Sequence, residues 1–216
     1  MVGANDLIGV IVYSTYAEIT YTPTSPLTAY IDPNGDVATG WDTTGTYHYT
    51  EIDEGTRQTN TPNLDDYISV TNVTNTFTDD YDMATLTNAG QVTAVKVWVH
   101  GGTYCGGAGD RANVYANIKI GDTWQSQQEI IPSFTSAQNW YSVTFSSLSM
   151  TQAQLDSLQV RIIGDIGFTE HTQAIVDAMY AEITYEEVVI PEYNTIVFVV
   201  VLVASVAIAF AVARKK

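Results

Sequence analysis

VTAVKVWVHG, Val92 to Gly101, sets Val95, Val97 and Val99 at alternate positions, with Lys96, Trp98 and His100 between them. A period of two is that of a strand with one buried face. ANVYANIKIG, Ala112 to Gly121, repeats the pattern, with Val114, Ala116, Ile118 and Ile120 on one side. Around these two runs, further strands are expected at Leu27–Ile31, Leu64–Val70, Thr74–Thr78, Ala84–Thr87, Trp140–Phe145, Leu158–Gly164 and Ile175–Glu186. Turn signals separate them. DPNGD, Asp32 to Asp36, reads as a turn, and Gly121–Thr123 as a hairpin turn into Trp124. The glycine-rich stretch through Gly109 reads as a loop around the single cysteine, Cys105. SMTQAQLDSL carries the one helical signal, Thr151 as N-cap with Gln154 three residues on. Nine or ten short strands with one helical turn predict an all-β, antiparallel sandwich, jelly roll first and immunoglobulin-like second. Val95, Val97, Val99, Val114, Ile118, Ile120, Val160, Ile162 and Ile183 are its expected core.

The C-terminal end has a different character. Ile196 to Ala213, IVFVVVLVASVAIAFAVA, contains no ionisable side chain and is followed by Arg214, Lys215 and Lys216. As a helix it would extend ~27 Å, close to the ~30 Å hydrocarbon core of a bilayer. A transmembrane helix is expected over 196–213, with 214–216 as a cytoplasmic basic tail. Residues 187–195 then form a linker, and the domain before it is placed outside the cell membrane as a single-pass protein.

Before the apolar span there are five basic residues against 24 acidic ones, a net of −19. Such a surface repels phosphates and excludes nucleic acid as a partner. With a single cysteine no internal disulfide can form, so the domain must hold by packing.

One repeat stands out. IVYSTYAEITY, Ile11 to Tyr21, matches IVDAMYAEITY, Ile175 to Tyr185, at eight of eleven positions. Tandem duplication is the expected origin. Residues 1–22 are then the last strand of a preceding repeat, and residues 23–186 are the sandwich domain.

The sequence contains none of the usual nucleophile, zinc or phosphate-loop motifs. Carboxylates adjacent in sequence, such as Asp79–Asp80, point to opposite faces of a strand. No enzyme is expected. Exposed aromatic side chains would suit a glycan, and Trp98, Tyr115 and Trp124 are the candidate ligand-binding residues, with Trp140 and Tyr104 as further candidates. Asp32, Asn34 and Asp36 carry oxygens at the spacing that opens a calcium loop, and form the candidate set for a structural calcium; no other cofactor is expected. The later positions of an EF-hand loop fail at Val37 and Thr43. Asn72 begins the one N-glycosylation sequon, NVT.

Two resemblances add to this. IPEYN (Ile190 to Asn194), the apolar span and the basic end resemble archaeal C-terminal sorting signals of the PEF type, with Tyr193 where that family usually has Phe. The resemblance implies that Pro191, Glu192 and Tyr193 are a sorting motif for an archaeosortase, which transfers such proteins to a lipid. The middle of the chain, from HYTEIDEG through VTAVKVWVHG and WYSVTF to YAEITY, is similar to jelly-roll modules of archaeal, bacterial and phage surface proteins. It is more distantly similar to carbohydrate-binding jelly rolls. That similarity implies a structural calcium near the first and last strands. Two functions follow as expectations. The first is a non-catalytic structural or adhesive module of the cell envelope, contacting membrane lipid and neighbouring envelope proteins. The alternative is a carbohydrate-binding module at the cell surface.

Overall fold

The computed structural model describes residues 25–53, 61–71, 75–87, 89–107, 110–135, 137–167 and 172–186. The strands are β1 (Leu27–Ile31), β2 (Pro33–Ala38), β3 (Asp42–Thr43), β4 (Ile68–Thr71), β5 (Asn75–Met83) and β6 (Gln91–Cys105). They continue as β7 (Ala112–Ile120), β8 (Thr123–Trp124), β9 (Gln128–Ile131), β10 (Asn139–Phe145), β11 (Gln159–Ile166) and β12 (Thr172–Glu186). One sheet runs β10-β6-β12-β4-β3, with β1 also on β12; the other runs β2-β5-β11-β7-β8, with β9 also on β7. Every pairing is antiparallel. The two sheets close on one core, so the architecture is an all-β sandwich.

The alternating faces are placed as the sequence predicts. Val95, Val97 and Val99 of β6 and Ile183 of β12 meet Val114 and Ile118 of β7 and Val160 and Ile162 of β11 in the buried core. Ile120 is half-buried and packs against it. Replacing Ile118 with Ala is expected to cost about 2–5 kcal/mol, the transfer and cavity terms together. Thr144→Ala, on an exposed position of β10, should stay within about 0.5 kcal/mol. Urea unfolding measures both, and equal costs would mean that the faces are wrongly assigned.

β6 and β12 form the spine of the first sheet, paired from Cys105↔Thr172 to Gln91↔Glu186. The far edge of β12 is shared by β4 at one end and β1 at the other. Between them the Met179 N–H donates to the Ile52 carbonyl at 2.9 Å, so a loop completes that edge.

Several local expectations change. DPNGD is not a turn: Pro33 opens edge strand β2, which pairs with β5 through two register shifts. The expected strand at Thr74–Thr78 is strand over its described residues but continues as β5 to Met83, and Ala84–Thr87 is not a strand. The first part of the glycine-rich stretch is strand, with β6 running through Gly101 and Gly102 to Cys105. A Cβ at Gly101 would run into the Ile175 carbonyl of β12, so this glycine permits a close approach of two backbones. The turn at Gly121 is as expected, with φ of 58° between Ile120 and Thr123. So is the short helix α1 (Gln152–Asp156): Thr151 and Gln154 form a capping box, and Leu155 is buried.

The 1–22 repeat segment, Asn72, the linker with Pro191, Glu192 and Tyr193, and the apolar span 196–213 lie outside the described residues. Among the described residues no helix is long and apolar enough to cross a membrane.

Candidate functional site

The outward face of the first sheet gathers aromatic side chains from four strands. Register sets Trp98 opposite Tyr180 and Lys96 opposite Glu182 across β6 and β12. It sets His100 opposite Trp140 and Trp98 opposite Ser142 across β6 and β10, and Tyr30 opposite Glu182 across β1 and β12. Tyr180 is the centre. It is 1% exposed, and Trp98, Trp140 and Tyr30 surround it with ring centroids at 6.0, 5.5 and 5.8 Å. Trp98 stacks on it, and the other two meet it edge to face. Edge-to-face and offset-stacked pairs of this kind are favourable beyond area burial alone.

Trp98 is held by polar neighbours as well. Its Nε1–H donates to Glu182 Oε2 at 2.8 Å, and the Lys96 ammonium lies 3.9 Å from the ring centre. Trp98 and Trp140 remain half-buried, and Tyr30 is 49% exposed. Beneath them His100 and Asp177 form a buried pair, with Nδ1 and Oδ1 2.5 Å apart. Asp177 is the extra residue of a bulge in β12 between Val176 and Ala178. A bulge re-aims a side chain, and this one brings Asp177 to His100, on the aromatic side. Trp140 then meets the His100 ring edge to face at 5.1 Å. The result is a rigid apolar surface bordered by an ammonium, a carboxylate and the Ser142 position. Such a surface can stack on the CH face of a sugar ring and bond its hydroxyls.

The other two sequence candidates belong to the opposite outer face. Trp124 pairs with Lys119 at the edge of the second sheet. The Arg161 guanidinium lies 4.0 Å from its ring centre and also makes a two-point ion pair with Asp80, at 2.6 and 2.7 Å. Those hydrogen bonds to Asp80 raise the Arg161 pKa further above its ordinary value. Tyr115 is half-buried there, its hydroxyl accepting from Asn113 Nδ2 at 3.1 Å. The structure therefore does not bring Trp98 together with Tyr115 and Trp124.

Of the calcium candidates, Asp36 has both carboxylate oxygens engaged by backbone. It accepts from the N–H groups of His48 (3.0 Å) and Tyr49 (2.7 Å), where a 3-10 turn begins. Asn34 is exposed, and the Asp32 backbone carbonyl accepts from the Ala84 N–H. Asp32 also bears on Asp53: burial first, and then this neighbouring charge, raise the Asp53 carboxyl above its ordinary range. Among the described residues no group of three or more His, Cys, Asp or Glu side chains is placed to hold a metal ion.

Tyr180, Glu182 and Tyr30 were not candidates in the sequence. A signal for two of them was present: YAEITY alternates Tyr180 and Glu182 against Ala181 and Ile183, and the earlier copy keeps the same pair as Tyr16 and Glu18.

No family model matches the chain, and no curated protein matches it. Among solved structures, the chain is similar to the C-terminal CBM6 of LamC, a marine laminarinase from Zobellia galactanivorans. Identity is 13% and the TM-score 0.37, over 73% of this chain and 99% of that one. It is also similar to TmCBM61, solved with β-1,4-galactotriose, at 12% identity and a TM-score of 0.31, over 53% and 68% of the two chains. Similarity of this degree assigns neither a family nor a ligand.

Proposed function

We propose that this chain is a non-catalytic, carbohydrate-binding β-sandwich of jelly-roll type, presented outside a cell membrane by the apolar span 196–213. The observation that carries the reading is the aromatic face: Tyr30, Trp98 and Trp140 are fixed around buried Tyr180 and bordered by Lys96 and Glu182. A fold that needed only a covered sheet would be served by aliphatic or Thr side chains at these positions. The matching stretch Ile11 to Tyr21 supports the same reading, since its sequence has Tyr16 and Glu18 where the later one has Tyr180 and Glu182.

A glycan array probed with the full chain is the test. Specific retention is expected, and Trp98→Ala should weaken it about tenfold or more, the scale of one lost aromatic stacking contact with its hydrogen bond. Retention unchanged in Trp98→Ala and in Trp140→Ala would defeat the aromatic-face reading. The internal repeat favours a second reading, a structural or adhesive envelope module. Its signature is an empty array together with self-association of the chain. Anchoring has its own test: after cell fractionation the chain should stay with membranes, and external protease should reach residues before 190 in intact cells.

A further inference from the structure

We propose that the binding face continues along β6 into a hollow beside Tyr104, and that this hollow takes one uncharged pyranose unit of a linear glycan. The inference rests on the carbohydrate reading above and adds to it the extent and the charge class of the ligand. On β6 the outward positions after Trp98 are His100, Gly102 and Tyr104. Six residues of strand span about 20 Å, so one extended ligand can touch the aromatic centre and Tyr104 together. Where Gly102 leaves the face without a side chain there is an open hollow of about 260 Å³. Tyr104, Gln138, Gln173 and Ile175 line it, and the Ala137 backbone forms one wall. A Cβ at Gly102 would lie 3.2 Å from the Ala137 carbonyl oxygen, so the glycine also lets that wall approach the sheet.

The lining has the parts that a neutral sugar needs. Tyr104 is 55% exposed and offers a ring face. Gln138 and Gln173 offer two amides, each with donors and an acceptor for hydroxyl groups. Among the described residues the lining carries no charged side chain. A carboxylate placed there would lose water without gaining a cation, and it would approach a domain, residues 23–186, with five basic against 20 acidic residues, a net charge of −15. Uronate units are therefore disfavoured and neutral hexoses favoured.

Calorimetric titration of the full chain tests this. The probes are linear gluco-, galacto- and manno-oligosaccharides from disaccharide to hexasaccharide, with oligogalacturonate as the acidic counterpart. Affinity should rise with length. Tyr104→Ala and Gln173→Leu should each weaken the hexasaccharide about tenfold and leave the disaccharide unchanged. Oligogalacturonate should bind more weakly than any neutral probe of equal length. If both variants match the unsubstituted chain at every length while Trp98→Ala abolishes binding, the hollow is not a subsite and the aromatic face stands alone. Preference for oligogalacturonate would overturn the charge assignment. Absence of binding to every probe by the unsubstituted chain would overturn both readings.

Discussion

Asp79→Ala is expected to remove about 3–5 kcal/mol of stability, because several donors lose their buried acceptor at once. Asp79 is 0% exposed in the core-facing row of β5. Its Oδ1 accepts from the N–H groups of Gly40 (2.5 Å) and Trp41 (3.0 Å). Its Oδ2 accepts from the Tyr81 hydroxyl at 2.8 Å and lies 2.5 Å from His48 Nδ1. Deletion strips a partner from four groups at once, and each buried donor left without one costs about 1–3 kcal/mol. It also releases the stretch from Gly40 to His48 that carries Trp41 over Gly164, where a Cβ would come within 2.8 Å of the indole. Against a total stability of about 5–15 kcal/mol the loss is large. Asp165→Ala, which removes a surface pair with Arg111, is the control and should cost about 1 kcal/mol or less. Urea midpoints compare the two; equal midpoints would show that Asp79 does not clamp the loop.

The same network sets an alkaline limit. Burial first, and then the charge of Asp79, raise the Tyr81 phenol well above its ordinary value of 10.0. The unfolded chain therefore loses this proton at a lower pH than the folded one. Below about pH 10 both forms hold the proton and Tyr81 adds no pH dependence. Above it the unfolded state binds fewer protons, and stability falls by about 1.4 kcal/mol per pH unit until the folded pKa is reached. Tyr81→Phe should abolish that slope, at the cost of one hydrogen bond to Asp79. An unchanged alkaline limb in the variant would refute the assignment.

Tyr180→Ala is the second large effect. Tyr180 is buried, and three aromatic rings lean on it. Truncating a buried aromatic costs about 3–5 kcal/mol, part of it the lost ring contacts at about 0.5–1.5 kcal/mol each. Trp98 and Trp140 lose their common support, so glycan retention and the near-ultraviolet circular dichroism signal of the indoles should both collapse. Tyr180→Phe keeps the ring and should keep both signals. Calorimetric melting together with the glycan array separates the outcomes. A Tyr180→Ala protein as stable as the original would mean that the cluster does not hold the outer face together.

Local chemistry alone determined the longer alternating strands, their faces and the core they share, but not β2, β3, β9 or the full length of β5. Side-chain direction in a strand alternates residue by residue, so Val95, Val97 and Val99 had to oppose Lys96, Trp98 and His100 wherever the strand was packed. The same rule separates the neighbours Asp79 and Asp80: one is buried against His48 and Tyr81, the other pairs with Arg161 on the outside. Thr151 and Gln154 act within a single turn, and their capping box was equally legible. What the sequence left open depended on residues far apart in the chain. Trp98, Trp140, Tyr180 and Tyr30 share a face because β6, β10, β12 and β1 are in one sheet. Tyr115 and Trp124 do not share it because β7 and β8 are in the other. Sheet membership is a matter of long-range pairing, and no local period encodes it. His48 meets Asp79 across 31 residues and His100 meets Asp177 across 77, the latter through a bulge that breaks the alternation. Gly101 carries the composition of a loop, yet it is strand because the β12 backbone passes too close for a side chain. The sequence supplied the aromatic residues one by one; tertiary packing decided which of them form a single surface, since only the pairing of distant strands sets them side by side.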